Sequence, residues 1–200
     1  MKAEKTKNNP SSKMVILDAA ENLFTARGYR ETTMADIAKE SNMSAANLYR
    51  HYENKEDIAA ACAHRCMENK YEALRAVLQK KRMSAGTRME EFIVALLHYT
   101  YEDAQNRPKM TEMCAVVIGS RPEAIHAMLS NFQSMIAEIL AQGNAQEEFA
   151  VENVLATAAT ILAAITVFHT PHFMHLHSLP EYEKLARTMA KLLVRGLARR

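Results

Sequence analysis

Helix punctuation is densest between residues 33 and 57, and it constrains the fold of this chain more than any other feature. Thr33, Ser44 and Asn54 each carry a short polar side chain able to accept from the free N–H groups of a first helical turn, and each precedes a run of helix formers. Asp36 and Asp57 stand three residues after Thr33 and Asn54, close to a capping box. Asn42 falls where a tight turn needs a positive φ, which Asn tolerates better than any residue except Gly. Signals this close together leave room only for short helices, and the spacing predicts them at 34–40 and 45–51, with a long helix starting at Lys55.

The remaining sequence reads as helix too. Val15, Ile16, Ala19, Ala20, Leu23 and Phe24 recur at three- and four-residue steps, one buried face of a helix over 12–27 that Gly28 can cap. Further helices are predicted at 55–81, 87–106, 109–118, 121–141, 147–169 and 181–198. Their breaks fall at Arg107-Pro108, Arg121-Pro122, Gly143-Asn144 and Pro180. Gly and Pro number five each in 200 residues, and 48% of residues are hydrophobic, so an all-α chain with a sizeable core is expected. The expected organisation is a flexible basic arm at 1–11 (Lys2, Lys5, Lys7), a three-helix helix-turn-helix domain at 12–58, and a larger helical body at 59–200.

Two short helices joined by a tight turn can place the second in a DNA major groove. Leu48 and Tyr52 are four apart, and together with Met43 and Ile37 they would anchor the unit. Ala45, Ala46, Asn47, Tyr49, Arg50 and His51 are left facing outward or sideways. The two alanines allow close approach. Asn47 can pair with an adenine edge, and Arg50 with guanine or a phosphate. Tyr49, His51 and Lys55 can bond phosphates. Total charge does not argue for nucleic acid: the chain carries +2, and residues 1–58 hold nine basic and nine acidic side chains. Placement of charge must carry the case.

The stretch ILDAAENLFTARGYRETTMADIAKESNMSAANLYRHYENKEDI, residues 16–58, resembles the DNA-binding domain of the tetracycline-repressor (TetR) family of bacterial transcription regulators. The shared pattern includes A-x-x-L-F-x-x-x-G-Y-x-x-T-T, the I-A pair, S-x-x-N-L-Y-R-H-Y and N-K-E-D. By position, the resemblance implies that Thr33 caps the second helix and touches phosphate. Ala45, Ala46, Asn47 and Arg50 would supply or flank base contacts beside Ser44, and Tyr49, His51 and Lys55 would hold the backbone. The chain departs from the family pattern in having Asn42 for the usual Gly, Ala45 and Ala46 where Lys or Pro often follows the cap, and Tyr52 for Phe. With two alanines in reading positions, sequence readout leans on Asn47, Arg50 and the arm.

The resemblance also implies a C-terminal ligand-binding and dimerisation domain, a homodimer on a palindromic double-stranded operator, and repression relieved by a small molecule. From the residues, 147–169 is broadly apolar. Over 181–198, Leu185, Met189, Leu192, Leu193 and Leu197 form a stripe opposite Arg187, Lys191, Arg195 and Arg199, so these two helices are the expected dimer interface. A pocket for a mainly apolar effector is expected from His98, Tyr99, Met110, Met113, His126, Phe132, Met135 and Phe168, Met being adaptable and equally at home in plain core.

Other constellations weigh less. HTPHFMHLH groups His169, His172, His175 and His177, but Pro171 interrupts them and no acidic or Cys partner adjoins, so no metal or other cofactor is expected. CAHRC places Cys62 and Cys66 on one helical face, and a redox-responsive sensor is the alternative it raises; a metal-responsive sensor and a nucleoid-associated binder without effector are the others. No glycine loop or catalytic motif suggests an enzyme. The polar N-terminus lacks the apolar core of a signal peptide. The longest apolar run, Val154–Phe168, is short of the ~20 residues that span a bilayer, so no membrane contact and a cytoplasmic location are expected.

Overall fold

Residues 11–199 are described by a computed structural model, and every element among them is helical apart from one isolated bridge. In chain order these are α1 (Ser12–Ala26), α2 (Met34–Glu40), α3 (Ala45–Tyr49), α4 (Lys55–Leu78), α5 (Ala85–Asn106), α6 (Pro108–Gly119), α7 (Pro122–Ala145), α8 (Val154–Ala164) and α9 (Leu179–Leu197). Two 3₁₀ turns, Thr166–Phe168 and Pro171–Phe173, join α8 to α9. The arm expected at 1–11 lies outside the described residues except for Ser11, whose side chain caps α1.

The anticipated punctuation governs the first four helices. Thr33 and Asp36 form a reciprocal capping box: Asp36 N–H donates to Thr33 Oγ1 at 3.2 Å, and Thr33 N–H donates to Asp36 Oδ2 at 2.9 Å. Asn42 has φ 55°, with Met43 N–H donating to Ala38 O at 2.8 Å and Asn42 N–H to Lys39 O at 3.1 Å, the paired bonds of a Schellman turn. Ser44 caps α3 and Asn54 caps α4 through the N–H groups of Asn47 and Asp57. Gly28, at φ 93°, closes α1. The α3 helix ends at Tyr49, short of the expected His51, because the chain tightens there: Arg50 N–H reaches Asn47 O and His51 N–H reaches Leu48 O.

Two hydrophobic clusters organise the chain. The first unites Ile16, Ala20, Leu23 and Phe24 of α1, Ile37 and Ala38 of α2, Leu48 of α3, and Ile58, Ala59, Cys62 and Cys66 of α4. Met110 and Met113 of α6 complete it, so this core is closed by a helix from far along the chain. The second cluster fills the body between α4, α5, α7, α8 and α9.

Three expected body boundaries shift, each for a local reason. The α4 helix stops at Leu78 rather than 81, where the buried Arg88 guanidinium donates to the carbonyls of Val77, Leu78 and Lys80 and occupies the helix's negative end. The break expected at Gly143-Asn144 is absent, and α7 runs on to Ala145. Gly143 serves close packing instead: a Cβ there would lie 2.1 Å from the Phe149 ring. The helix expected over 147–169 is confined to α8. Glu147 adopts φ 59°, and Asn144 pins the following loop through Val151 N and O, at 3.0 and 2.7 Å. The C-terminus joins this loop through Ala150 N–H to Leu197 O and Arg199 N–H to Glu148 O.

Candidate nucleic-acid interface and the body behind it

The α3 helix is held from within and left bare outside. Leu48 is fully buried, Met43 and Tyr52 pack against the same cluster, and Ala45, Ala46, Tyr49 and Arg50 are exposed. Asn47 and His51 are half-buried at its flanks. Among the described residues, no side-chain hydrogen bond or ion pair holds Asn47, Tyr49, Arg50 or His51. Tyr49 is 53% exposed, unusual for so large a ring with no packing role. The outward face is therefore a short row of polar and aromatic groups, fronted by two alanines, on a rigidly seated helix.

Two expected contact residues are already engaged. Both donors of Thr33, its N–H and its hydroxyl, go to Asp36. Lys55 Nζ donates to Tyr29 O and Thr32 O, each at 2.9 Å, and sits 4.3 Å from the Tyr29 ring centroid. Lys55 thus ties the start of α4 to the loop between α1 and α2. Tyr29 in turn donates to Glu56 at 2.8 Å; burial and that carboxylate push its phenol up to about 12. Arg65 joins α4 to α1 through Asp18 at 2.7 Å and Glu21 at 2.8 Å, a fork that the sequence reading missed.

The eight residues expected around a pocket do not meet in one place. Phe132, Met135 and Phe168 belong to the body core. Met110 and Met113 belong to the first cluster, because α6 turns that face toward α1 and α4. His98 pairs with Glu183 at 2.6 Å across α5 and α9, and His126 is exposed on α7. Tyr99 reaches back toward Cys66 O at 3.5 Å. A cleft of about 550 Å³ lies between the α1–α2 loop and α6, edged by Arg27, Tyr29, Lys109, Val116 and Arg121. A smaller cavity of about 200 Å³ lies between α4, α6 and α7. Met113 touches the cleft, and neither space is lined by His98, Tyr99, His126, Phe132 or Phe168.

The histidine run also disperses. His169 lies against Phe132, with ring centroids 5.7 Å apart, His172 meets His175, and His177 packs on Tyr182. No group of three metal-ligating side chains forms among the described residues. The cysteine expectation changes partner: the Cys114 thiol of α6 holds Cys66 below its ordinary value, while burial pushes the Cys62 thiol up and away from reactivity.

On α9, Tyr182, Ala186 and Ala190 face the core, which leaves Leu185 at 47% and Leu192 at 60% exposed; Leu155 of α8 is 63% exposed. No helix among the described residues is long and apolar enough to cross a membrane.

A helix-turn-helix unit with a bare second helix, set on a helical body, defines a DNA-binding regulator. The family comparison makes this specific: residues 16–62 match the bacterial regulatory proteins of the tetR family, and residues 85–189 match the tetracyclin repressor-like C-terminal domain. The chain belongs to the TetR family of transcriptional regulators, which are not enzymes. It is 25% identical to the regulator QacR of Staphylococcus aureus over 188 residues, covering 92% of this chain and 97% of QacR. The biofilm operon negative regulator IcaR of Staphylococcus epidermidis is 45% identical over 51 residues, 26% of this chain and 28% of IcaR. Among solved structures, a transcriptional regulator of Cytophaga hutchinsonii superposes with a TM-score of 0.76 at 16% identity, covering 95% of this chain and all of that one. SmeT, the repressor of a multidrug efflux pump of Stenotrophomonas maltophilia, solved in complex with triclosan, gives 0.63 at 17% identity, covering 95% and 93%.

Proposed function

We propose that the protein is a homodimeric repressor that reads a two-fold symmetric operator with α3 and is released by a small, mainly apolar effector bound in the body. The observation that carries this reading is the row Asn47, Tyr49 and Arg50, exposed or flanking and unengaged, on a helix fixed by Leu48 and by the caps at Asn42 and Ser44. Asn47 and Arg50 read bases, Tyr49 and His51 hold phosphates, and Ser44, Ala45 and Ala46 let the helix approach closely. Lys55 acts as a positioning residue, and Thr33 as a cap.

The exposed leucines of α8 and α9 support a dimer, since two copies can cover them in a four-helix interface. SmeT, which shares the fold, is a repressor and was solved with the apolar molecule triclosan, and the helical body here supports an effector domain of the same kind. Genomic DNA capture with the purified protein, followed by fluorescence anisotropy on the recovered fragment, tests the reading. Saturable, salt-sensitive binding to a symmetric site is expected, and equal affinity for unrelated DNA would overturn it.

A further inference from the structure

Lys70 of α4 lies in the middle of the body with 8% of its surface exposed. Its ammonium donates to Thr100 Oγ1 at 2.8 Å, and that hydroxyl donates onward to Leu96 O. The Tyr99 and Phe132 ring centroids stand 5.8 and 5.6 Å away. Among the described residues no carboxylate lies within ion-pairing distance of Lys70. Asp103, which acts on it at longer range, is bound by Arg107 and by Thr111. A cation with three donors therefore has one neutral acceptor in a water-poor core, an unfavourable arrangement that an anion relieves.

Two further observations converge here. His169, which rests on Phe132, has a buried Nε2 without a hydrogen-bond partner. Burial first, and the Lys70 charge second, hold its imidazole down to about 4, so it is neutral at physiological pH. A cavity of about 200 Å³ lies next to this group, lined by Met67 and Tyr71, which flank Lys70 on α4, and by Met128 and Asn131, four residues and one residue before Phe132 on α7; Lys70, Phe132 and His169 are not part of its lining. Val117 and Ile118 of α6 close another side.

We propose that Lys70 is the counter-charge for an amphipathic acid, a small effector with one carboxylate and an apolar body, whose apolar part occupies the cavity on Met67, Tyr71 and Met128 and whose carboxylate reaches past the cavity wall to the Lys70 ammonium. This rests on the reading of the body as an effector domain and narrows the effector's chemistry. A carboxylate supplies the acceptors that Lys70 lacks, and charge-assisted bonds in a low dielectric are the strong ones. A neutral or cationic ligand leaves the ammonium as it is or repels it. The cavity is closed by Val117 and Ile118 of α6, the helix that carries Met110 and Met113 into the DNA-binding core, so an occupant can bias how that core is held.

The test pairs decanoate with decan-1-ol and benzoate with benzyl alcohol, by calorimetry on the full-length protein and on Lys70→Met. Wild type is expected to bind at least one acid about tenfold more tightly than its alcohol, and Lys70→Met to lose that preference. Should the variant fail to fold, ¹³C NMR of the wild-type Lys70 side chain decides: the better acid must shift its resonance and raise its pKa. Acids and alcohols binding alike, a preference that survives Lys70→Met, or no binding of either acid at millimolar concentration overturns the assignment. Operator binding without ligand is measured separately, so its failure would strike the regulator reading, while its success beside a failed acid test would strike only Lys70.

Discussion

Asn47 and Arg50 owe their reading position to residues that never face DNA. A five-residue helix has no stability of its own in water, so α3 persists because Leu48 is buried and Ser44 and the Asn42 turn fix its start. Asn42 sets the angle between α2 and α3 with a left-handed backbone. Replacing it by Ala should cost about 1 kcal/mol, with Asn42→Gly near neutral, both measured by urea denaturation; the reverse ranking would deny the turn its role. On the outer face, Asn47→Ala and Arg50→Ala should each weaken operator binding by about 1–3 kcal/mol, leaving affinity for unrelated DNA nearly unchanged. Equal losses on both DNAs in anisotropy titrations would make these side chains backbone contacts instead. Lys55 belongs to the opposite category. Lys55→Met removes two bonds to the α1–α2 loop and the contact with Tyr29, and should lower stability by about 1–2 kcal/mol. A changed salt slope of DNA binding with unaltered stability would return Lys55 to the phosphate contacts.

At the scale of elements, the capped helices were legible because capping is local: Thr33, Ser44, Asn54 and Gly28 act on groups within four residues. The α7–α8 region was not, because Gly143 serves a partner six residues away in a non-helical loop, and nothing in periodicity reveals a ring pressed on a glycine. Met110 and Met113 show the same limit of periodicity. Their helical phase was right, but which core they face depends on how α6 docks. Lys70 stands four residues after Cys66 and four before Leu74, so the helical period puts it on the buried face of α4 although its charge points to the surface. The apolar α9 stripe is divided by the structure: Met189, Leu193 and Leu197 pack against the body core beside the buried Tyr182, Ala186 and Ala190, while Leu185 and Leu192 stay outside. Leu185→Glu with Leu192→Glu should therefore leave the thermal transition of the protomer nearly unchanged yet yield a monomer by light scattering, with operator affinity lost. A dimer that persists would show that α9 is not the interface.

Across the whole molecule, α4 and α6 connect the two cores, α4 by running from Ile58 to Val77 and α6 by closing the DNA-binding core with two methionines. A charge placed beside this connection gives the molecule a measurable signature. Burial holds Lys70 down to about 8, against an ordinary lysine value of 10.5. Between those pH values the unfolded chain keeps a proton that the folded chain has released, so the unfolded state binds more protons and stability rises with pH. The charge penalty is fully present below about 8 and gone above 10.5, a span worth about 3 kcal/mol. Several tyrosines, Tyr29 and Tyr99 among them, are held above their ordinary value and pull the other way above pH 10, but they act equally in Lys70→Met. The difference between wild type and Lys70→Met, followed by urea denaturation from pH 7 to 10, therefore isolates the lysine. Wild type should start less stable than the variant and close the gap as pH rises; parallel curves would mean that the ammonium is not desolvated in solution. Saturating decanoate adds a second arm: by giving the ammonium a partner it should raise the Lys70 pKa and flatten the same slope in wild type alone.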